Sequence, residues 1–420
     1  MIRHKIIPSL VLVALLAPLP SAGQDAPGVT LEEALLLFAE NNLELRVARL
    51  GFEEAAGLAR QAGAFPNPSF NATHEPLSGA PRSYSETYLT ASQRIELSGA
   101  RGARSEAAMR RADAAHSSYR ADSLRLAFEV KRTYAEAVVA QQREAGSRRV
   151  AAVFEEALRR ARERFADGDI SRFTLRRIEA ERARYETLLA VAEIETGIAE
   201  RALALLVTPT GDAPRLVAAG LPAPVPPLPP SQAEETVTIE SRPELTAARS
   251  EAEAQAAKLR LVRAERVPDV TATGGFKRQS DGLRGGFVGL SVPVPLFDRG
   301  AGGVEAAEAG LRTAEQRLAL TRRQLENDVQ RARERHRALI TRSALVVGEG
   351  ATGGADDLLD IAMVAYEEGE MELVALLDAA EATHAASTDR ARLQADLWIA
   401  YFDLERALGG FKAPGQEDQP

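Results

Sequence analysis

The sequence contains no cysteine, so no disulfide can brace it in an oxidising compartment and no lipid can be attached through a cysteine thiol. Aromatic residues make up only 5% of its 420 positions, too few for the core of a typical large globular protein. Past residue 23 no apolar run approaches the ~20 residues that a membrane-spanning helix needs. If the chain enters a membrane, it must do so as strands closed into a barrel. Excess positive charge is missing too. The formal net charge is −8, which offers no basic surface to a phosphate backbone and argues against nucleic acid as a partner. The five histidines, at 4, 74, 116, 336 and 384, include no i, i+4 pair, so a built metal site is not expected. The glycines near Gly274 and Gly285 lack the following lysine of a phosphate loop, and no nucleophile elbow occurs. These absences predict a protein that is not an enzyme and carries no cofactor.

What is there is alanine, leucine, arginine and glutamate, with 45% hydrophobic and 27% charged residues. Arginines interleaved with glutamates read as solvated helix faces with cross-turn ion pairs. The N-terminus carries Arg3, His4 and Lys5, an apolar run from Ile6 to Ala17, and small residues at Ser21 and Gly23. That is the pattern of a secretory signal peptide over residues 1–23.

The remainder divides into two similar halves, 24–208 and 232–408, joined by a proline-rich linker at 209–231 and followed by a flexible tail at 409–420. In the first half, Leu31 to Ala64 has apolar residues at helical spacing, with Thr30 and Glu33 set as a capping box. Pro66-Asn67-Pro68 ends it, and strands are predicted over about 69–76 and 84–97. A helix over about 102–165 has no proline and, after its first residue Gly102, one glycine, Gly146; about 64 residues would reach roughly 95 Å. Its Val150, Phe154, Leu158, Ala161 and Phe165 recur at coiled-coil spacing. The turn Asp167-Gly168-Asp169 leads to a helix over about 171–207.

About 200 residues later the order returns: a helix from Arg242 to Arg266, strands over about 269–278 and 286–295, a long helix over about 302–346 with Leu311, Leu318 and Leu325 spaced by sevens, and a last helix over about 371–408. Pro66-Asn67 stands opposite Pro268-Asp269, Glu106-Ala107-Ala108 opposite Glu305-Ala306-Ala307, and Asp167-Gly168-Asp169 opposite Glu368-Gly369-Glu370. A constant displacement at several points marks an internal repeat. One difference is an interruption of the second long helix near Gly348 to Gly354.

Four strands of about ten residues match the ~9–11 that cross a bilayer when tilted. Four cannot close a barrel, so several protomers must contribute, and threefold assembly gives twelve strands. In the last strand Val288, Leu290, Val292 and Val294 share one face and Phe287, Gly289 and Ser291 the other, as lipid and lumen sides would; the other three strands alternate less cleanly.

With Ile95-Glu96-Leu97-Ser98-Gly99 at one strand exit, Val294-Pro295-Leu296-Phe297-Asp298-Arg299-Gly300 at another, and the Tyr366-Glu367-Glu368-Gly369 turn leading to Leu376-Leu377-Asp378-Ala379, the chain resembles the TolC family of outer-membrane efflux proteins, nearest in its strand exits to the heavy-metal and cation branch. The resemblance implies a homotrimer in the outer membrane of a Gram-negative bacterium, with a twelve-stranded β-barrel continued by a periplasmic α-helical barrel. It further implies a passive duct served by a periplasmic adaptor and an inner-membrane pump. Gly99, Pro295, Phe297 and Gly300 would mark the barrel-to-helix transition. Asp167, Gly168, Asp169, Tyr366, Glu367, Glu368, Gly369 and Glu370 would lie at the periplasmic tips, where the duct is gated and meets its adaptor. Asp378 falls on an acidic constriction position of the family, but Ala375 stands one turn earlier, so a doubled aspartate ring is not expected. The alternative is a periplasmic adaptor or an envelope coiled-coil scaffold; the first would carry one hairpin between β-rich domains, and the second leaves the four strands unexplained.

Overall fold

A computed structural model describes residues 28–79, 84–209, 217–221, 239–348 and 351–409. The expected signal peptide, most of the linker and nearly all of the tail lie outside the described residues. The elements in order are α1 (Leu31–Asn41), α2 (Leu43–Ala62), β1 (Ser69–Leu77), β2 (Tyr84–Ile95), α3 (Ala100–Ala166), α4 (Arg172–Val207), α5 (Pro243–Ala264), β3 (Val270–Gln279), β4 (Arg284–Ser291), α6 (Ala301–Gly348), α7 (Ala351–Glu367) and α8 (Leu373–Ala407). Among the described residues, no helix is long and apolar enough to cross a membrane.

The capping box at the start of α1 forms as the sequence predicts: the Glu33 amide donates to the Thr30 hydroxyl and the Thr30 amide to the Glu33 carboxylate. The single helix expected from Leu31 to Ala64 is instead two. Asn42 has extended backbone, and its side-chain oxygen accepts from the Leu45 amide at 2.8 Å, which caps α2. Its amide nitrogen donates to the Leu206 carbonyl at 2.9 Å, satisfying the C-terminal end of α4. In the second half the same task falls to Arg242, buried just before α5, which donates to the Ala407 carbonyl at the end of α8 at 2.8 Å and is paired with Glu244. Equivalent helix ends are thus closed by an amide in one half and a guanidinium in the other.

Helix α3 runs unbroken for 67 residues and is the spine against which α2, α4, α5 and α8 pack. Its core changes character along its length. Beside the sheet, buried side chains are mostly small, such as Ala114, Ala254, Ala307 and Ala314, with Leu259 an exception, and cross-helix ion pairs join the surfaces: Arg111–Glu251 at 2.8 Å, Arg260–Glu106 at 2.7 Å and Arg263–Glu308 at 2.8 Å. Midway, Phe38, Leu126, Val130, Tyr134 and Leu203 form an apolar cluster. There the Tyr134 hydroxyl lies 2.9 Å from the carbonyls of both Val29 and Gly220 and so ties the linker to the helices. Toward the far end Val150, Phe154, Leu158, Ile178, Tyr185 and Leu376 form another. The heptad-like run of α3 is buried as expected through Ala161, but Phe165 is 41% exposed because it has reached the end of the hairpin.

The four strands form one antiparallel sheet in chain order, with β2 pairing β3 across the two halves. The first and third strands match expectation to within a residue at each end. The second ends at Ile95 and not at 97, and the fourth covers Arg284–Ser291 and not 286–295. Ser291 pairs with Thr271, one residue from the start of β3, so the segment beyond it has no ladder to join, and Pro293 and Pro295 have no N–H to give one. The second long helix is described as far as Gly348 and again from Ala351; the interruption expected near Gly348 to Gly354 falls in part on residues outside the described ones.

Phe154 is fully buried and stacks on Tyr185 with ring centroids 4.7 Å apart. Phe154→Ala is expected to cost about 3–5 kcal/mol, read as an earlier loss of helical circular dichroism on heating.

Candidate functional site

Because side chains alternate along a strand and cross-strand partners share a face, the register sorts every strand residue onto one of two surfaces. One carries Phe70, Ala72, Leu89, Ala91, Ile95, Val270, Ala272, Phe276, Val288 and Leu290, interrupted by Gln93 and turning polar at its far end with His74, Ser85, Thr87, Arg278 and Arg284. The other carries Asn71, Thr73, Glu86, Tyr88, Thr90, Ser92, Arg94, Thr271, Thr273, Lys277 and Gln279. The alternation that is faint in β1 to β3 read singly is clear once all four are aligned. The polar face is hydrogen-bonded within itself. Ser92 and Thr273 hydroxyls meet at 3.0 Å, Lys277 pairs with Glu86 at 2.9 Å, Gln279 donates to Glu86 at 2.8 Å, and Tyr88 donates to the same carboxylate. Two large apolar groups break the pattern, Leu77 at the end of β1 and Phe287; Phe287 lies over Gly275, where an added Cβ would come within 2.7 Å of the ring. Glycine there lets the ring cover the bare backbone.

At the helix end of the sheet, Gly99 and Gly300 have φ of 73° and 69° and precede α3 and α6. This left-handed turn, open to glycine at little cost, redirects the chain from strand to helix in both halves. Arg104, in the first turns of α3, holds this junction by donating to both Glu96 carboxylate oxygens (2.5 and 3.1 Å) and to the Ala62 carbonyl of α2 at 3.0 Å. Opposite it, Arg266 donates to the Arg299 carbonyl at 3.0 Å. Pro295 and Phe297 lie in the segment between β4 and α6, Phe297 fully exposed. The sequence marked the glycines and prolines here but not the arginines, which look like any others in an arginine-rich helix.

At the opposite end, Gly168 and Gly369 have φ of 83° and 78°, and each reverses a helical hairpin. Asp169 and Glu370 amides close these turns by donating to the Arg164 and Ala365 carbonyls at 2.9 Å. Asp167, Asp169, Glu368, Glu370 and Asp378 are exposed. Glu367 instead lies 3.5 Å from Arg160 of α3, and Tyr366 is 3% exposed, with Arg164 over its ring. The two hairpins are therefore linked at their tips by an arginine-rich segment of α3, through Arg160 and Arg164. Higher up, His384 lies edge-on to Tyr185 with its Nδ1 buried and unpartnered among the described residues. Burial, with Arg143 and Arg184 nearby, pushes its pKa down. Among the described residues, no three His, Cys, Asp or Glu side chains converge as a metal site would require.

Glu96 and His384 both withdraw stability as pH falls, in different pH windows. Hydrogen bonding from Arg104 holds the Glu96 carboxyl below its ordinary value, so its contribution is present above the unfolded value of about 4.3 and lost as pH falls through the lower folded value. Glu96→Gln is expected to be less stable than the parent at neutral pH and to converge with it in acid melts. The depressed His384 likewise favours the folded state above about pH 6.5 and withdraws that support as pH falls below it. His384→Gln is expected to flatten the parent's loss of melting temperature between about pH 6.5 and 5.

Comparison with known proteins follows the same two-part division. The sequence profile of the outer membrane efflux protein family matches residues 35–207 and again residues 237–410. The cobalt-zinc-cadmium resistance protein CzcC of Cupriavidus metallidurans is 28% identical, over 93% of this chain and 92% of that protein. The nickel-cobalt-cadmium resistance protein NccC of Alcaligenes xylosoxydans is 30% identical over 63% of this chain and 60% of its own length. In three dimensions the CmeC outer membrane channel of Campylobacter jejuni superposes with a TM-score of 0.76 at 18% identity, covering 92% of this chain and 87% of that one. The open-state MtrE outer membrane channel of Neisseria gonorrhoeae gives 0.72 at 22%, covering 92% and 91%. With both halves of the chain matched, on a fold whose sheet has one apolar and one polar surface, the protein belongs to the outer membrane efflux protein family as a channel component.

Proposed function

We propose that three copies of this chain close one twelve-stranded barrel in the outer membrane of a Gram-negative bacterium. The helices continue it across the periplasm as a passive duct, loaded by an inner-membrane pump through a periplasmic adaptor, and the cargo is divalent transition-metal cations. The observation that carries the reading is the two-faced sheet with free outer edges at β1 and β4. An apolar face suits lipid and a polar face suits a water-filled lumen, and edges in hydrocarbon must be paired by another chain. A metal cargo is favoured by the likeness to CzcC over nearly its whole length. The acids Asp167, Asp169, Glu368 and Glu370, repeated by threefold symmetry, would ring the entrance and favour cations there. A periplasmic adaptor is disfavoured by the two complete halves sharing one sheet.

Extracted in mild detergent from the outer-membrane fraction, the protein part is expected to have three times the chain mass by light scattering; a soluble monomer would remove the channel reading. In planar bilayers, replacing the four tip acids by amides is expected to lower the cation-to-anion permeability ratio by about twofold or more, read from the reversal potential under a salt gradient. An unchanged ratio would leave the tips with a structural role only.

A further inference from the structure

At the end of the sheet away from the helices, the apolar face stops at one row of residues. Ala72, Leu89 and Phe276 stand side by side on neighbouring strands, and two residues farther out on the same face the row is His74, Thr87, Arg278 and Arg284, one from each strand. The His74 Nδ1 and the Thr87 hydroxyl meet at 2.9 Å. Arg278 and Arg284 are direct cross-strand partners, which sets their Cβ atoms about 4.5–5.5 Å apart, and like charges so placed repel. Both are exposed, and neither has a carboxylate partner among the described residues. Elsewhere on the sheet cations are matched: Arg94 pairs with Asp269, and Lys277 with Glu86 on the opposite face. The acid of the β3–β4 turn, Asp281, closes its own loop by accepting from the Leu283 amide at 3.0 Å. A repulsive pair with no acid to relieve it suits an anion supplied from outside, and two adjacent guanidinium groups match the oxygens of a phosphate.

A second observation lies on the same face, nearer the helices. Gly274 stands between Ala91 and Val288, its partners on either side, and a Cβ added there would meet nothing within 4 Å. With Phe70, Ala72, Leu89 and Ala91 it lines a shallow groove of about 350 Å³. Four residues separate Gly274 from Arg278, about 13 Å along the strand. A single lipid molecule spans that distance with its headgroup at one end and an acyl chain at the other.

We infer that each protomer holds one phosphorylated glycolipid of the outer leaflet, a lipopolysaccharide, with a phosphate between Arg278 and Arg284 and an acyl chain along the groove at Gly274. The inference rests on the barrel reading of the preceding section, which puts the helices in the periplasm and this row at the cell exterior. Long arginine side chains at the end of an apolar face can keep their stems among acyl chains while the charge reaches the headgroups.

The test uses the full chain extracted in mild detergent, stripped of lipid and titrated with bisphosphorylated lipid A, with bound lipid counted by native mass spectrometry. An Arg278→Gln, Arg284→Gln double variant is expected to bind about tenfold more weakly. Without lipid it is expected to melt no lower than the parent, since a repulsion has been removed; a lower melting temperature would give the arginines a structural role instead. Gly274→Leu, which fills the groove and keeps both arginines, is expected to weaken binding about threefold or more. Equal binding by parent and double variant, or equal binding of lipid A with and without its phosphates, would overturn the site. Phosphatidylglycerol held as tightly as lipid A would overturn the choice of glycolipid, and an equal rise in melting temperature with inorganic phosphate alone would reduce the row to a general anion site. A trimer that binds no lipid A would overturn the site and leave the barrel standing, whereas a soluble monomer that binds none would overturn both.

Discussion

The outer edges of β1 and β4 carry rows of backbone N–H and C=O groups, and in hydrocarbon each group left without a partner costs several kcal/mol. A four-stranded sheet cannot curl far enough to pair its own edges. Much of the molecule's organisation is consistent with that constraint: a sheet with one apolar and one polar surface, helices that all leave from the same end of it, and a repeat that supplies two hairpins where one would be too few. Long helices carry the two hairpin tips far from the sheet, and a helix covers distance with all its interior backbone groups satisfied.

The repeat is preserved in geometry more than in chemistry. Glycines with left-handed backbone stand at matching places before both long helices and at both hairpin tips, since few other residues take that conformation without strain. Where many residue types can do a task, the halves have diverged. Asn42 and Arg242 close equivalent helix ends with different groups. The exposed Phe165 of one tip corresponds to the buried Tyr366 of the other.

This divergence also explains which features could be seen in the sequence. The repeat, the four strands, the unbroken α3 and the glycine turns are local or periodic, and proline and glycine punctuate them at positions where backbone geometry leaves little choice. The break at Asn42 escaped notice because asparagine within a helical pattern signals a cap only when its distant acceptor, Leu206, is known. The two faces of the sheet were hidden by glycine, alanine and threonine, which hold no strong preference singly and acquire one only through the register with neighbouring strands. The ion pairs at the strand exits and tips join residues on different elements, and in a chain with this many arginines and glutamates spacing does not select the right partners. The end of β4 was set too far along because Val292 and Val294 extend its alternation, although the ladder has no partner left for them.

The pairing of β2 with β3 has a consequence in time. The β1–β2 and β3–β4 hairpins join residues close in sequence, but the seam between them brings Ile95 to Val270. Closing so long a loop is slower than closing a hairpin, although each doubling of loop length adds only about 0.6 kcal/mol. A chain emerging from its N-terminus can therefore complete the first hairpin and its helices while the second half is still being delivered. The central seam of the sheet is thus expected to close after both hairpins, and until it does the facing edges of β2 and β3 carry backbone groups without their ladder partners.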